Sequence, residues 1–357
     1  MDGGGNGGVR LRLGLVGCGQ WGLNYLRAFG DVDGCEVVAA ADPSAERRAL
    51  AEKRLRGLRT VSDADALLGD PGIDAVVIAT PASQHYAVAS RALSRGKHVL
   101  VEKPMTTTIA EAEKLREQAA GAGGVLMVGH VFRHNAAVNY VRDMIRRGDV
   151  GDVLYLALTR TNLGPIRTDV NAVWDLMTHD VSIVFHLLNR MPEWVSAQGA
   201  CYLTPGVEDA GFATMGFSGG LVANIRVSWL DPRKVREVTV VGTRSMVVID
   251  DLSAMPVQVY DKGAVREPAY ESFGEFKLIT RNGAVTIPAI PPSEPLKNQC
   301  ESFYRATQSG RVEVGDAADG ERVVRTICAI NESIGLRGAP VTIAEAGPMP
   351  IEQTPGR

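Results

Sequence analysis

The chain of 357 residues is 45% hydrophobic and 22% charged, as is typical of globular proteins, and its length favours two domains over one. Its net charge of -3 argues against a nucleic-acid-binding protein and favours a small-molecule ligand. Five cysteines without a C-x-x-C pair, and no apolar run long enough to span a membrane, predict a cytoplasmic protein without a disulfide framework, a metal site or a membrane partner.

The chain begins with a glycine-rich stretch, residues 1–9, which we expect to be disordered. Residues 10–130 then alternate short apolar runs with longer segments that carry apolar residues every three or four positions and close on glycine. The apolar runs cover residues 12–17, 36–42, 73–80, 98–104 and 125–130. Strands alternating with helices predict an α/β domain with a doubly wound parallel sheet, covered on both faces.

The first predicted strand runs directly into "GCGQWG", in which Gly17, Gly19 and Gly22 form G-x-G-x-x-G. Such a turn leaves the backbone bare enough for a pyrophosphate to approach the helix N-terminus. Asp42 ends the second strand, where a carboxylate can accept hydrogen bonds from both ribose hydroxyls of NAD. Together the two features predict a dinucleotide site rather than a plain turn followed by a surface aspartate.

Asp42 also bears on which nicotinamide cofactor binds. A carboxylate at this position repels the 2′-phosphate of NADP, so NAD is favoured. Arg47 and Arg48 lie one helical turn further on, where they could bind a 2′-phosphate. NADP, or the use of both cofactors, therefore stays open.

A second group of polar residues follows other strands of the same sheet. In "VEKP" (101–104), Glu102 and Lys103 end a strand whose carboxyl end should line the cofactor crevice, and Pro104 limits how the loop can turn away. A partly desolvated lysine can donate a proton or a hydrogen bond to the oxygen on the carbon that exchanges hydride. His85, after the strand at 73–80, should help to hold the cofactor. A solvated loop is the alternative for "EKP".

From residue 131 the pattern changes after a helix predicted near 136–147. Period-two segments follow at 152–160, 194–203, 210–219, 220–230, 235–243 and 245–250. They predict a second, mainly antiparallel sheet, with helices at 173–190 and 316–336. We therefore predict that residues 131–357 form a second α/β domain.

The outward face of this second sheet is rich in valine and isoleucine and is expected to include Trp229. A subunit interface explains such a face better than exposure to water does. We therefore expect a homodimer or a homotetramer through this sheet.

The predicted helix at 173–190 contains "WDLMTHD", in which Asp175 and His179 stand four residues apart on one helical face, with Asp180 pointing away. A histidine balanced by a carboxylate can act as a general base for a sugar hydroxyl, with Lys103 polarising the same oxygen. The alternative is an exposed structural pair. His186 is expected to be packed among apolar residues.

Taken together, these motifs resemble those of the Gfo/Idh/MocA family of oxidoreductases, over nearly the whole chain. The matching motifs, in order, are "GCGQWG", Asp42, "ATPASQH" (79–85), "GKHVLVEKP" (96–104), "VGHVFRHNAA" (128–137) and "WDLMTHD" (174–180). The resemblance implies a Rossmann domain followed by an α/β domain with a large open sheet, which binds the substrate and carries the oligomer contacts. It also implies hydride transfer at a sugar or cyclitol carbon. It implies that Lys103 is the catalytic lysine and that Asp175 and His179 form the catalytic pair, with His179 as the acid/base.

The resemblance also implies a set of binding residues. For the cofactor they are Gly17, Gly19, Gln20, Trp21, Gly22, Asp42, Thr80, His85, Glu102 and Lys103. Within the family the chain looks like the branch typified by UDP-N-acetylglucosamine and UDP-N-acetylglucosaminuronate 3-dehydrogenases, which oxidise nucleotide-activated amino sugars at C3. The sugar-binding residues expected from this likeness are Arg133, Arg160, Asn162, Arg167 and Asn171.

Three other functions stay open. One is an NADP-linked 3-ketoreductase of deoxysugar biosynthesis, and another is a dehydrogenase of a free sugar or of inositol. The third is a non-catalytic NAD(H) sensor, in which Lys103 and His179 would be dispensable. The oxidation state of C6 and the identity of the nucleotide are open as well.

Overall fold

A computed structural model describes residues 10–167, 170–268 and 276–343. The glycine-rich start, predicted to be disordered, lies outside the described residues. The chain divides into two compact units. Unit 1 contains the described residues up to His134 together with Ser293–Val324, and unit 2 contains Asn135–Pro292 and the residues from Arg325 onward.

Unit 1 is built on a six-stranded parallel sheet in the order β3-β2-β1-β4-β5-β6. Its strands are β1 (Leu11–Val16), β2 (Cys35–Ala41), β3 (Arg59–Val61), β4 (Ala75–Ile78), β5 (His98–Glu102) and β6 (Leu126–Gly129). The strand order reverses between β1 and β4, which creates the crevice where doubly wound sheets bind their ligands. The predicted parallel sheet is confirmed. Only the three-residue β3, too short to show a pattern, was not expected.

The helices of unit 1 are α1 (Gln20–Gly30), α2 (Ala45–Arg54), α3 (Ala64–Leu68), α4 (His85–Ser94), α5 (Ile109–Gly121) and, from much later in the chain, α8 (Pro295–Ser309). Thr108 caps α5, because its hydroxyl accepts a hydrogen bond from the backbone of Glu111. Helix α8 packs against α1, and Phe303 meets Phe29 edge to face at 6.3 Å between ring centroids. A C-terminal helix thus completes the core of the first unit.

Unit 2 contains a nine-stranded sheet in the order β14-β13-β12-β11-β7-β10-β9-β8-β15. Its strands are β7 (Val153–Leu163), β8 (Trp194–Ala200), β9 (Ala210–Gly216), β10 (Val222–Ser228), β11 (Leu230–Gly242), β12 (Met246–Asp250), β13 (Val257–Pro268), β14 (Phe276–Thr286) and β15 (Val341–Thr342). Among these strands only the β7–β10 pairing is parallel. The predicted open, mainly antiparallel sheet is confirmed, and β13 to β15 extend it beyond the segments expected from sequence.

The remaining helices are α6 (Ala136–Arg147), α7 (Thr178–Leu188) and α9 (Ala317–Gly335). The division between the two units falls within α9. A π-helical turn, Val173–Met177, leads directly into α7. Helix α6 coincides with its predicted range, because Asn135 caps its first turn and Gly148 ends it in the left-handed region. A π turn within the predicted helix at 173–190 was not expected.

The expectation that Trp229 lies on the outward face of the sheet is wrong. Its side chain is 0% exposed, because it continues the period of two set by the buried residues Ala223, Ile225 and Val227 of β10. Tyr155 and Phe212 are exposed instead. Their partners in β10, Val222 and Arg226, are four residues apart, so both rings lie on one face of the sheet. Oligomer formation through this face stays a prediction.

Candidate active site

The glycine-rich turn joins β1 to α1 in unit 1. Gly17 has a φ of 98°, and a Cβ there would lie 2.5 Å from the carbonyl oxygen of Ala79. A Cβ on Gly22 would lie 2.0 Å from the carbonyl oxygen of Gly17. The protein's own packing therefore requires glycine at both positions.

Gly19 differs from these two glycines, since a Cβ there would meet no atom within 4 Å. It is the N-cap of α1 and has no side-chain capping bond, and Gln20 and Trp21 form the first turn. The backbone N–H groups of such a turn, and the positive end of the helix dipole, favour a bound anion. A bare backbone in front of these groups fits the pyrophosphate of a dinucleotide.

The two kinds of glycine lead to opposite expected results. Gly19→Ala should leave the melting temperature nearly unchanged but weaken NADH binding at least about tenfold, because the methyl group enters the space that the pyrophosphate needs. Gly22→Ala should destabilise the fold, because its methyl group overlaps a backbone oxygen. Thermal unfolding together with fluorescence titration of NADH checks both variants. Unchanged NADH affinity in Gly19→Ala would contradict this assignment.

Asp42 lies just beyond β2, buried at the same edge of the sheet. Its Oδ2 accepts a hydrogen bond from the backbone of Cys18 at 2.8 Å, and its Oδ1 accepts one from the backbone of Ser44 at 2.9 Å. These bonds fix the carboxylate beside the glycine-rich turn. Each oxygen keeps a second acceptor position, as the two ribose hydroxyls of NAD require.

Arg48, which could serve a 2′-phosphate, has backbone partners. Its Nη1 donates to the carbonyl oxygens of Asp42 at 2.7 Å and of Pro43 at 3.0 Å. Arg47 is exposed on the same helix. A 2′-phosphate would have to draw Arg48 from these carbonyls and also approach the Asp42 carboxylate, so the arrangement fits NAD better.

The loops after β4 and β5 are joined by His85, whose ring is buried. Its Nδ1 lies 2.7 Å from the carbonyl oxygen of Pro104, and its Nε2 lies 3.0 Å from that of Thr80. Because both partners are carbonyls, a neutral ring can donate to only one of them at a time. His85 therefore positions the loop that carries Lys103, and its contact with the cofactor stays a prediction.

Glu102 is the last residue of β5 and is buried in a hydrogen-bonded network. Tyr25 donates to its Oε1 at 2.6 Å, and Gln299 of α8 donates to the Tyr25 hydroxyl at 2.7 Å. Burial, and the neighbouring Glu102 charge, raise the pKa of Tyr25. The network holds the end of β5, and with it the buried Lys103, against two helices. Tyr25 and Gln299 were missed from sequence, because they are far from Glu102 along the chain.

Beyond β6, Arg133 is buried and forms an ion pair with Asp319 of α9, within unit 1. Asp319 also accepts a bond from Arg322 at 3.1 Å. Burial alone would raise the pKa of Asp319, but the two guanidinium charges prevail and lower it. The structure thus gives Arg133 a carboxylate partner within the protein, and its predicted contact with the sugar stays untested.

Two buried histidines, His130 and His134, flank Arg133. Burial first, and then the charge of Arg133, lower the pKa of each to about 3. The folded pKa is therefore below that of the unfolded chain, about 6.5, and between these values only the unfolded chain binds the protons. Stability should fall as the pH drops through this window, by about 1.4 kcal/mol per pH unit for each histidine.

The measurement is urea unfolding at several pH values between about 7 and about 5. His134→Phe removes one of the two contributions, so the variant should lose less stability on acidification than the unsubstituted protein does. Identical pH slopes for the two proteins would contradict the assignment.

In unit 2, Asp175 lies in the π turn and His179 lies in the first turn of α7. The Asp175 carboxylate accepts a bond from Arg167 Nη1 at 3.2 Å and one from Trp229 Nε1 at 3.3 Å. His179 is buried, so the pair does not lie on an exposed helical face, as the structural alternative supposed. Sequence reasoning missed Trp229 as a partner of Asp175 and had assigned it to the outer face of the sheet.

Arg160 of β7 is buried against Asp180 of α7. Arg160 Nε lies 3.0 and 3.1 Å from the two carboxylate oxygens, and Nη2 lies 2.8 Å from Oδ1. Burial raises the pKa of Asp180, and the Arg160 charge opposes this shift. The predicted sugar-binding guanidinium thus joins a strand to the helix that carries His179.

The two predicted asparagines also have partners in the protein. The Asn162 side chain donates to the carbonyl oxygen of Gly164. Asn171 bonds to the start of the π turn, where its Oδ1 accepts from the Trp174 backbone at 2.9 Å, and its Nδ2 donates to Glu208 Oε2 at 2.6 Å. Both residues shape the chain before the π turn, and their predicted contact with a sugar stays untested.

Two further properties concern the described residues only. Within residues 10–167, 170–268 and 276–343, no three or more histidine, cysteine, aspartate or glutamate side chains are grouped so that they could hold a metal ion. In the same residues, no helix has the length and apolar character that crossing a membrane requires.

Comparison with known proteins adds two family matches. Residues 11–130 match the description "Oxidoreductase family, NAD-binding Rossmann fold" of the GFO_IDH_MocA family. Residues 138–248 match the "GFO/IDH/MocA C-terminal domain". The two matches follow one another in the order expected from the motifs.

Individual relatives extend the comparison. The chain is 29% identical over 317 residues to UDP-N-acetylglucosamine 3-dehydrogenase of Acidithiobacillus ferrooxidans, covering 88% of this chain and 95% of that protein. A crystal structure of that enzyme has a TM-score of 0.78 at 26% identity and covers 92% of this chain and 99% of its own. A dTDP-3,4-didehydro-2,6-dideoxy-alpha-D-glucose 3-reductase of Streptomyces violaceoruber is 38% identical over 152 residues, which is 42% of this chain and 44% of the reductase.

Proposed function

The chain belongs to the Gfo/Idh/MocA family of NAD(P)-dependent sugar oxidoreductases, and on this premise we propose that it transfers hydride between C3 of a nucleotide-activated amino sugar and NAD. The observation that carries the chemistry is the position of Lys103. It is buried at the carboxyl end of β5, on the edge of the sheet that also presents the glycine-rich turn and Asp42. The likeness to the Acidithiobacillus enzyme over nearly its whole length supports the choice of substrate.

The site residues of unit 1 have distinct roles in this proposal. The bare backbone at Gly19 and the first turn of α1 hold the pyrophosphate, and Asp42 holds the adenosine ribose. When bound, NAD supplies the site that accepts the hydride. Lys103 donates a hydrogen bond to the substrate oxygen, which stabilises the negative charge that grows as its proton leaves.

In the proposed reaction, the residue that accepts the proton of the sugar hydroxyl belongs to unit 2. His179 takes the proton of the sugar hydroxyl as a general base and returns it in the reverse reaction. Asp175 lies one π turn before it, and Arg167 and Trp229 hold the Asp175 carboxylate in place. A carboxylate fixed in this way favours the protonated form of a nearby histidine during turnover.

The proposal is tested by initial rates of NADH formation, with NAD or NADP, on UDP-N-acetylglucosamine, its uronate, dTDP-glucose and myo-inositol. 2-Oxoglutarate is added in a parallel series, in case the cofactor is recycled in place. Turnover of a UDP-amino sugar with NAD is the expected result. Activity only on a free polyol, or only as a reduction with NADPH, would overturn the substrate assignment.

The likeness to the Streptomyces reductase is a specific reason to test for reduction with NADPH, although the match covers less than half of that enzyme. No turnover of any substrate in either direction, with NADH binding intact, would instead favour the non-catalytic sensor.

A further inference from the structure

Three polar residues follow three neighbouring strands of the parallel sheet. Strands β4, β5 and β6 are adjacent, and Thr80, Lys103 and His130 come after them. In the register, Glu102 lies opposite Gly129, so Lys103 and His130 are the first residues beyond the ends of two neighbouring strands. Such strands are about 4.8 Å apart. The three side chains therefore leave the sheet in a row along its ligand-binding edge.

His130 is the member of this row to which no role has been given. Its side chain is 1% exposed, and neither ring nitrogen has a hydrogen-bond partner within the described parts of the chain. The hydroxyl of Thr80, two strands away, is likewise buried without a partner in those parts. Buried polar atoms without partners are rare in folded proteins. At the edge of a doubly wound sheet, such atoms indicate groups that complete their bonds with a ligand.

The charges around His130 limit what this ligand can be. Burial and the positive charges of Arg133 and Lys103 disfavour a protonated ring, and together they lower the pKa of His130 to about 3, against the opposing charge of Asp319. A neutral imidazole has one nitrogen that donates and one that accepts. A hydroxyl group, which also donates and accepts, is therefore its natural partner.

The position along the edge separates the substrate from the cofactor. Asp42 follows β2, and the glycine-rich turn follows β1, so the cofactor extends from these strands towards β4 and β5. His130 lies one strand beyond Lys103, on the side away from Asp42. Its ring is therefore beyond the expected position of the nicotinamide.

We propose that His130 binds the sugar substrate, through a hydrogen bond between one of its ring nitrogens and a hydroxyl near the carbon served by Lys103. This inference rests on the proposed function, because it needs a substrate that carries hydroxyl groups. It adds a substrate-contacting residue from unit 1 to the sugar-binding residues expected from sequence. Its partner is an uncharged part of the sugar and not a phosphate or a carboxylate.

The test compares His130→Phe and His130→Gln with the unsubstituted protein. Phenylalanine keeps a flat ring but removes both nitrogens, and glutamine keeps a donor and an acceptor. We expect His130→Phe to lower kcat/KM for the sugar at least about tenfold, with NADH affinity nearly unchanged, and His130→Gln to recover part of the loss. His134→Phe is the matched control, because His134 is also buried in unit 1 but has no position in the row. It should leave kcat/KM nearly unchanged.

Two results would overturn the proposal. If His130→Phe changes only the thermal stability, the ring is a packed core residue or binds internal water. If it weakens NADH binding as much as it lowers kcat/KM, the ring contacts the cofactor. Should His130→Phe fail to fold, the comparison of His130→Gln and His130→Met applies the same criteria.

A second readout does not depend on turnover. The ring ¹⁵N signals of His130, assigned by their loss in the variants, should be those of a neutral ring and should shift when the sugar is added to the NADH complex. Unchanged signals at saturating sugar would contradict the contact. If the unsubstituted protein turns over no sugar and binds none, the proposed function itself fails, which is a different result from an unaffected variant.

Discussion

Replacing Lys103 with alanine is expected to lower turnover about a thousandfold while changing NADH affinity by no more than a few fold. The ammonium group contacts the substrate oxygen in the proposed mechanism, whereas the pyrophosphate and the ribose are held by the glycine-rich turn and Asp42. The loss should therefore fall on kcat and kcat/KM together, since the interaction strengthens as charge develops on the oxygen. Single-turnover kinetics and fluorescence titration of NADH measure the two effects separately.

Lys114→Ala provides the control, because Lys114 is an exposed lysine on α5 of the same unit. It should leave both quantities nearly unchanged. If Lys103→Ala instead loses NADH binding and keeps its turnover at saturating cofactor, Lys103 holds the cofactor and the proposed role is wrong. A shift in melting temperature beyond that of the control would show that the loop held by His85 depends on the lysine for its structure.

Arg160→Met is expected to have the largest effect on stability, lowering the free energy of unfolding by about 3–5 kcal/mol. Methionine keeps much of the side-chain volume but leaves the Asp180 carboxylate, 1% exposed, without its bidentate partner. A carboxylate buried in this way must either keep an uncompensated charge or take up a proton, and both are unfavourable near neutral pH. Urea unfolding of the two proteins measures the difference.

Arg147→Met is the matched control, because Arg147 lies in the same unit, on α6, and pairs with Asp149 at an exposed position. Such a surface ion pair should contribute at most about 1 kcal/mol. The double substitution Arg160→Met with Asp180→Leu should recover much of the loss, since it removes the charge that was left unpaired. If Arg160→Met cost no more than the control, the buried pair would add little to the stability of the fold.

Local patterns in the sequence were sufficient for the strands and helices that carry the cofactor site. The five predicted strands of the parallel sheet form, because unbroken runs of valine, isoleucine and alanine are stable only when both faces are covered. Gly17, Gly19 and Gly22 lie at the turn that their spacing predicted, since that turn is a local property of the backbone. Asp42 and Lys103 likewise lie at strand ends, and a strand end is visible as the end of an apolar run.

The sequence by itself therefore determined the order of the elements, the parallel and the mainly antiparallel sheet, and the edge where the cofactor should bind. Only the tertiary structure decided the partners of the charged residues: Asp180 for Arg160, Asp319 for Arg133, and the Tyr25 and Gln299 network around Glu102. It also paired Trp229 with Asp175 and brought α8 into the first unit. The physical reason is that periodicity reports only whether a residue can be buried, whereas the partner that compensates a buried charge comes from elements far away along the chain.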